Sequence, residues 1–302
     1  MNAHLRDRAA MSAALHPVPA PGLVVAGIVS VQMGAGIAKG LFESLPPSTV
    51  VFMRLLTSAV VLLLITRRLI WARRRDLARA DVLVLIGFGL ALATMNFAIY
   101  QSFSRIPLGI AVTIEFLGPL GVSVVFSRRR LDLFWVALAA LGVLLLTRGD
   151  ASALDPVGVL YALVAAMGWA AYILLSAETG RRFQGTSGLA LASMVGMVVV
   201  APIGLGEGGT QLWEPHLLAI AVGVGLLSSV IPYSLELEAL RRMPAKVFGI
   251  LMSLEPVVAA LVGLVLLGEI LELREWAAIG CVVVACVGAT RTGARARGAP
   301  EA

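Results

Sequence analysis

Four ionisable residues fall inside long apolar stretches of this 302-residue chain: Lys39, Arg54, Glu115 and Glu255. A charge at the centre of a bilayer costs about 3 kcal/mol on insertion scales, so such side chains usually face a cavity or a partner. Two cations and two carboxylates can pair with each other, or they can bind the two ends of a zwitterion. Structural ion pairs or hydrogen bonds between helices remain the alternative for each of the four residues.

Polar and aromatic side chains lie at helical spacing around these charges. Gln32 precedes Lys39 by seven residues and shares its helix face, although Lys39 could also extend to the membrane surface. Trp169 and Tyr172 share a face deep in their helix, which favours a cavity wall over the interfacial aromatic belt. Three further candidates are Asn96, Tyr100 and Tyr233. The last two of these are equally compatible with the belt.

The elements that carry these residues are long and apolar. Of the residues, 59% are hydrophobic and 14% charged, and the mean hydropathy is +0.93. The apolar residues form ten blocks, each close to the length of about 20 residues that crosses a bilayer. The predicted transmembrane helices are 22–40, 47–66, 82–101, 107–126, 132–147, 156–177, 187–204, 216–235, 244–267 and 273–290. The sequence therefore predicts an all-α membrane protein rather than a soluble one.

The positive charges predict the orientation of these helices. Apart from Lys39 and Arg54, nineteen Lys and Arg residues lie in or next to the two tails and every second joint, and only Arg105, Arg148 and Arg274 lie on the opposite side. Joints rich in Lys and Arg stay in the cytoplasm, so both tails, 1–21 and 291–302, are predicted to be cytoplasmic in a bacterial inner membrane. This distribution also argues against a nucleic-acid partner, because the basic residues orient helices instead of forming a recognition patch.

Two stretches about 140 residues apart resemble each other and predict an internal repeat. They are EFLGPLGVSVVFSRRRLDLFWVALAALGVLLLTRG (115–149) and EPVVAALVGLVLLGEILELREWAAIGCVVVACVGATRTG (255–293). The repeat divides the chain into halves 22–147 and 156–290. Because each half has an odd number of spans, five, the second half is expected to be inverted. Inverted repeats are common in transporters, whose substrate site lies near the midplane between the halves.

The inversion brings Glu115 and Glu255 to matching depths. Glu115 follows Pro107 by eight residues on a helix that enters from outside, and Glu255 follows Pro244 by eleven on a helix that enters from inside. At 1.5 Å per residue the two depths are about 12 and about 16 Å, both near the midplane. Two further acids, Glu236 and Glu238, are expected to pair with the arginines that follow them.

The sequence contains no catalytic constellation. The motifs HExxH and GxSxG and the phosphate-binding P-loop are all absent, so neither enzymatic activity nor ATP-driven transport is expected. Cys281 and Cys286 lie in the last span, where small apolar residues are the simplest interpretation. No cofactor and no metal are predicted, and the energy for any transport would come from an ion or substrate gradient.

Three strings resemble the EamA-type drug/metabolite transporters, in particular their bacterial amino-acid exporters. They are SVQMGAGIAKGLF (30–42), IPLGIAVTIEFLGPL (106–120) and PYSLELEALRRMPAKVFGILMSLEP (232–256). The resemblance covers residues 22–290. It includes the Glu-Pro pair at the end of the third string, Glu255 and Pro256. It implies export of threonine, homoserine and related metabolites, driven by the proton gradient. It assigns no site residues.

The resulting hypothesis is alternating access to a cavity between the halves. Lys39 or Arg54 would hold the carboxylate of a small zwitterionic metabolite. Glu115 or Glu255 would hold its ammonium group and take up a proton when the substrate leaves. The expected partners are therefore the substrate, protons and the lipid bilayer, with a homodimer as an open alternative to a monomer.

The sequence favours two other interpretations less. A multidrug or cation exporter, or an exporter of other metabolites, belongs to the same superfamily, but two buried cations suit a ligand that carries a carboxylate. A non-transporting receptor or scaffold would be expected to carry a sizeable extramembrane module, and the longest joint has only about fifteen residues.

Overall fold

The computed structural model describes residues 18–73, 77–125, 130–147 and 154–296. Within these ranges the chain is almost entirely helical and contains no strand. Most of the predicted N-terminal tail, the end of the C-terminal tail and several of the arginines that predict the orientation lie outside the described residues.

Ten helices follow one another through the described residues, which confirms the predicted all-α fold. Seven of them are continuous: α1 (Ala20–Gly40), α2 (Pro47–Arg73), α3 (Arg79–Phe103), α5 (Arg130–Thr147), α6 (Pro156–Arg182), α7 (Ser187–Gly208) and α10 (Leu273–Ala296). The other three are interrupted: α4 (Leu108–Glu115 and Leu117–Val125), α8 (Pro215–Gly225, Leu226–Val230 and Ile231–Arg242) and α9 (Ala245–Met252 and Glu255–Leu267). In the described part of the chain, eight helices are long and apolar enough to cross a membrane, and Leu108–Val122 and Leu133–Leu145 are shorter apolar helices.

Several helices extend beyond the predicted spans into charged sequence. Helix α2 reaches Arg73 and α6 reaches Arg182, whereas hydropathy places the ends of these spans at 66 and 177. Hydropathy marks only the part of a helix that suits lipid, and the backbone hydrogen bonds continue past it into the polar region. The predicted helices therefore end several residues too early at these two places.

The interruptions in α4 and α9 have a covalent cause. Proline has no N–H to donate to the carbonyl four residues earlier. Pro119 therefore leaves the carbonyl of Glu115 without its helical donor, and α4 breaks at Phe116. Pro256 likewise leaves the carbonyl of Met252 without its helical donor, and α9 breaks at Ser253 and Leu254. Glu115 and Glu255 thus lie at the breaks, which are at corresponding places in the two halves.

The helices pack in pairs that match between the halves. Helix α3 packs against α6, and α8 packs against α1. These pairs correspond, because α3 and α8 are each the third helix of their half, and α6 and α1 are each the first. Helices α2 and α7, α4 and α9, and α5 and α10 each pack against the helix that lies five places away. The two groups of five helices therefore make equivalent contacts with each other.

A close approach of backbones joins α4 to α9 near the side predicted to be extracellular. A Cβ atom at Gly109 would lie 2.6 Å from the Cα atom of Ala260, which is closer than real Cβ contacts. Only glycine allows this approach without a shift of one helix. The neighbouring side chains Leu108, Ile110 and Ala259 are fully buried, so the seam is tightly packed.

Candidate functional site

A cavity of about 460 Å³ lies among the helices, within the size range of small-molecule sites. Its wall is formed by α1, α2, α3, α4, α6, α8, α9 and α10. Eight of the ten residues predicted as site candidates line it: Gln32, Arg54, Asn96, Glu115, Trp169, Tyr172, Tyr233 and Glu255. Tertiary packing therefore brings candidate residues from seven of the predicted helices to one place.

Arg54 is held in this cavity by three hydrogen bonds. Its Nη1 atom donates to the hydroxyl of Tyr100 at 3.2 Å, Nη2 donates to the backbone carbonyl of Ser228 at 3.1 Å, and Nε donates to the hydroxyl of Ser229 at 3.4 Å. Arginine has five N–H donors. Among the described residues these bonds fix the guanidinium group and leave two N–H donors for a ligand.

A short π-helical turn in α8, Leu226–Val230, provides two of the three acceptors for Arg54. Pro232 has no N–H to donate to the carbonyl of Ser228, so this oxygen is available to the guanidinium group. The hydroxyl of Ser30 in α1 donates to the neighbouring carbonyl of Leu227 at 2.7 Å. The distance of Pro232 from Ser228 is a sequence signal for this turn that the sequence analysis did not use.

Glu255 is joined to α1 by a single hydrogen bond. Gln32 donates from Nε2 to Oε1 of Glu255 at 2.9 Å. The other oxygens, Oε1 of Gln32 and Oε2 of Glu255, have no hydrogen-bond partner in the described part of the chain. Both residues are buried, with exposed fractions of 3% and 7%. A carboxylate oxygen and an amide oxygen are therefore available together in the wall.

Glu115 and Asn96 add further acceptors to the same cavity. Glu115 is buried, and its carboxyl group makes no hydrogen bond within the described ranges. Asn96 donates from Nδ2 to the carbonyl of Leu92, one turn earlier in α3, at 2.8 Å. Its Oδ1 atom has no partner among the described residues. The cavity thus combines one fixed cation with several unsatisfied oxygen atoms.

Aromatic rings form part of the wall. Trp169 packs edge-on against Phe116, the residue at the break in α4, with ring centroids 4.9 Å apart. Tyr172 packs against Phe88 of α3 with centroids 5.2 Å apart. These rings connect α6 with α4 and α3, and they support the prediction that this face of α6 borders a cavity.

Lys39 and Tyr100 do not belong to the described cavity lining. The Nζ atom of Lys39 lies 2.6 Å from Oε1 of Glu269 and donates to the carbonyl of Ile106 at 2.8 Å. Lys39 therefore neither binds in the cavity nor extends freely to the membrane surface. Tyr100 has no exposed surface, and its hydroxyl accepts a hydrogen bond from Arg54. It therefore lies neither in the cavity nor in an interfacial belt.

Glu236 lines the cavity and was assigned wrongly by the sequence analysis. The expected pairing with arginine holds for Glu238, whose carboxylate contacts Arg242 at 2.6 Å and Arg241 at 3.3 Å. Glu236 makes no ion pair with described residues and borders the cavity beside Gly27. Its position three residues after Tyr233, on the same helix face, is the signal that could have found it.

Comparisons with known proteins cover most of the chain. A sequence profile of the EamA-like transporter family matches residues 156–291. The threonine/homoserine exporter RhtA of Escherichia coli strain K12 is 38% identical over 272 residues, 89% of this chain and 90% of the relative. The threonine/homoserine exporter RhtA of Salmonella typhimurium strain LT2 is 39% identical over 279 residues, 91% of this chain and 93% of the relative.

Two more distant matches also cover most of the chain. An uncharacterized inner membrane transporter of Escherichia coli strain K12, YedA, is 28% identical over 260 residues, 81% of this chain and 82% of the relative. A solved crystal structure aligns with a TM-score of 0.55 at 17% identity, covering 91% of this chain and 98% of the other. The latter similarity concerns the fold alone.

Proposed function

The chain belongs to the EamA-like transporter family, and we propose that it exports small hydroxylated amino acids such as threonine and homoserine from the cytoplasm. Export proceeds by proton antiport with alternating access. One observation carries the proposal: a single cavity contains both the available N–H donors of Arg54 and the unpartnered carboxylate oxygen of Glu255. Such a site complements the two charged ends of a zwitterion, and the names of the relatives point to the same substrates.

The substrate carboxylate binds to Arg54. A guanidinium group can donate two parallel hydrogen bonds to a carboxylate, and the three protein contacts hold its plane in place for this. Lys39 was the other candidate for this role. Its ion pair with Glu269 and its position outside the cavity lining favour Arg54.

The substrate ammonium group binds to Glu255, and Glu115 carries the proton. Gln32 orients Glu255 through one oxygen, which leaves the other oxygen for the ammonium group. Glu115 takes up a proton from outside when the substrate leaves and releases it to the cytoplasm after the return step. A neutral zwitterion then moves out as a positive charge moves in, so both the pH gradient and the membrane potential drive export.

The position of the cavity supports an inward-facing state of the proposed cycle. With the tails in the cytoplasm, Glu236 and Thr290 lie towards the cytoplasmic ends of α8 and α10, and both line the cavity. Near the opposite side, the Lys39–Glu269 ion pair and the contact of Gly109 with Ala260 hold α1, α4 and α9 together. The equivalent contacts of the two inverted halves would allow an outward-facing state in which these contacts open.

Counterflow in proteoliposomes tests this function. Purified protein is reconstituted with unlabelled threonine or homoserine inside, and accumulation of labelled substrate is followed at set pH gradients across the membrane. We expect counterflow for both amino acids, and we expect an opposing proton gradient to drive net transport. Absence of counterflow for every amino acid in a panel of small zwitterions would exclude the proposal.

A second candidate function, export of organic cations, follows from the charge balance of the cavity. With Lys39 outside the lining, the carboxyl groups of Glu115, Glu236 and Glu255 outnumber the cations of the lining, of which the described residues contribute only Arg54. The methyl ester of threonine separates the two functions, because it keeps the ammonium group and lacks the carboxylate. Transport of the ester in preference to threonine would favour the cation exporter.

A further inference from the structure

Apart from the free N–H donors of Arg54, the cavity wall contains buried side-chain atoms that make no hydrogen bond within the described residues. Among the described residues, three buried side-chain atoms without a hydrogen-bond partner belong to residues that line the cavity: Oε1 of Gln32, Oδ1 of Asn96 and Oε2 of Glu255. Each of these atoms is an acceptor. Leaving a buried acceptor unsatisfied is unfavourable, and native proteins rarely do so without a functional reason. The cavity therefore suits a ligand that supplies several hydrogen-bond donors.

The ammonium group of the substrate accounts for two of these acceptors. Gln32 and Glu255 are joined by a hydrogen bond, so their remaining oxygens belong to one polar unit between α1 and α9. A carboxylate attracts a positive charge, and the adjacent amide oxygen can accept a second N–H of the same ammonium group. Asn96 lies on α3 and is not part of this unit.

The amide of Asn96 is held in one orientation. Its Nδ2 atom donates to the carbonyl of Leu92, so the amide group offers Oδ1, which only accepts hydrogen bonds. A hydroxyl group can donate to such an oxygen, and the ammonium group of the substrate is already taken up by the separate Gln32–Glu255 unit. A side-chain carboxylate would face this oxygen with no proton to share.

We propose that Asn96 determines specificity by accepting a hydrogen bond from the side-chain hydroxyl of the substrate. This inference rests on the proposed function and adds to it the group that distinguishes hydroxylated amino acids from their deoxy analogues. Binding of an analogue without the hydroxyl leaves Oδ1 of Asn96 unsatisfied. Sites built around such a hydrogen bond reject the analogue that lacks it far more strongly than apolar pockets reject a missing methylene.

The test measures a ratio of transport efficiencies. 2-Aminobutyrate is the deoxy analogue of both threonine and homoserine, and alanine is that of serine. In counterflow with the wild-type protein, we expect each hydroxylated amino acid that is transported to exceed its analogue in kcat/KM by about tenfold or more. In Asn96→Leu, which removes the acceptor and keeps a similar volume, we expect this ratio to fall below about threefold.

A matched control separates recognition from structure. Ser102 is also on α3, is fully buried and has an unpartnered hydroxyl oxygen within the described residues, but it does not line the cavity. Ser102→Ala is expected to keep the wild-type ratio. A purely structural role of Asn96 would lower transport of both members of a pair and leave their ratio unchanged. Asn96→Ala provides a second test with a smaller side chain if the leucine variant does not fold.

The outcomes distinguish this inference from the function on which it rests. If the wild-type protein moves none of the amino acids, the proposed function is wrong. If it transports them without preferring the hydroxylated member, or if the foldable Asn96 variant keeps the tenfold preference, the function stands and the role of Asn96 is wrong. Loss of the preference in the Asn96 variant, with retention in Ser102→Ala, supports the proposal.

Discussion

The Nζ atom of Lys39 lies 2.6 Å from Oε1 of Glu269, and the other carboxylate oxygen of Glu269 accepts a hydrogen bond from the backbone N–H of Leu108 at 2.8 Å. Lys39 also donates to the carbonyl of Ile106. Glu269 follows α9, so these contacts tie the end of α1 to the start of α4 and the end of α9. The cluster lies on the side predicted to be extracellular, where the proposed alternating-access cycle requires a gate.

Breaking this cluster is expected to open the cavity towards the outside. We expect Lys39→Met to increase the labelling rate of Ala35→Cys by a membrane-impermeant thiol reagent added outside, by about threefold or more. Ala35 lines the cavity one helical turn before Lys39, so its accessibility reports on the gate. The measurement uses a background in which Cys281 and Cys286 are replaced by alanine.

Another ion pair on the same side serves as the control for the gate. Arg105 and Asp155 are 3.7 Å apart, and about a third of each side chain is exposed. Asp155→Asn is expected to leave the labelling rate unchanged, because partly exposed pairs contribute little. Equal labelling in Lys39→Met and the parent protein would contradict the gate.

Arg54→Lys is expected to weaken substrate binding by at least about tenfold, because hydrogen bonds to a charged group contribute about 1.5–3 kcal/mol each. Lysine keeps the charge but lacks the planar fork that reaches Tyr100, Ser228 and Ser229 together. Binding can be measured by calorimetry with threonine or homoserine. Tyr100→Phe removes one of the three contacts and should have a smaller effect, and wild-type affinity in Arg54→Lys would exclude the assigned role.

Glu115→Gln is expected to separate exchange from proton coupling. Glutamine keeps the shape of the side chain but cannot carry the proton, so a pH gradient should no longer drive net transport while exchange of labelled for unlabelled substrate continues. A pH-sensitive dye inside the proteoliposomes measures the proton movement. Glu207→Gln is the matched control, because Glu207 accepts a hydrogen bond from Ser48 and does not line the cavity. Substrate-dependent proton movement in Glu115→Gln would assign coupling to another residue.

Glu236 and Glu238 are expected to differ although they are two residues apart. Glu236→Gln changes the wall of the cavity, and we expect it to reduce kcat/KM for the transported amino acid by about threefold or more without lowering the thermal stability in detergent. Glu238→Gln removes the ion pairs with Arg241 and Arg242, so it should affect stability more than transport. The opposite result would restore the structural assignment of Glu236.

Gly109→Ala is expected to destabilise the protein by about 1–3 kcal/mol, the usual range for overpacking a tight core. The added Cβ atom would lie 2.6 Å from the Cα atom of Ala260, and neither helix can avoid it by rotating a side chain. Thermal unfolding in detergent measures the effect. Gly121→Ala, also in α4, meets no atom within 4 Å and should leave the unfolding temperature unchanged.

Much of the architecture could be predicted from the sequence because it depends on local properties. Placing charged groups in lipid is unfavourable, so the spans can be predicted as apolar blocks. The missing N–H groups of Pro119 and Pro256 likewise predict the breaks beside Glu115 and Glu255. The same cost marked Arg54, Glu115 and Glu255 as residues that need a cavity, and all three line it. The orientation of the termini rests on the arginine distribution and stays a prediction.

The partners of the charged residues depended on tertiary structure. Lys39 and Arg54 carry the same charge in similar apolar surroundings, and only the packing of α1 against α9 decides that Lys39 reaches Glu269 instead of the cavity. Glu236 and Glu238 lie on the same helix, close to the same two arginines. They differ only in the helix face on which they lie, so that Glu236 lines the cavity and Glu238 pairs with Arg242. The sequence by itself determined which groups cannot remain in lipid, because desolvation depends on the group alone. Tertiary structure decided which group meets which, because this depends on the helix faces that pack together.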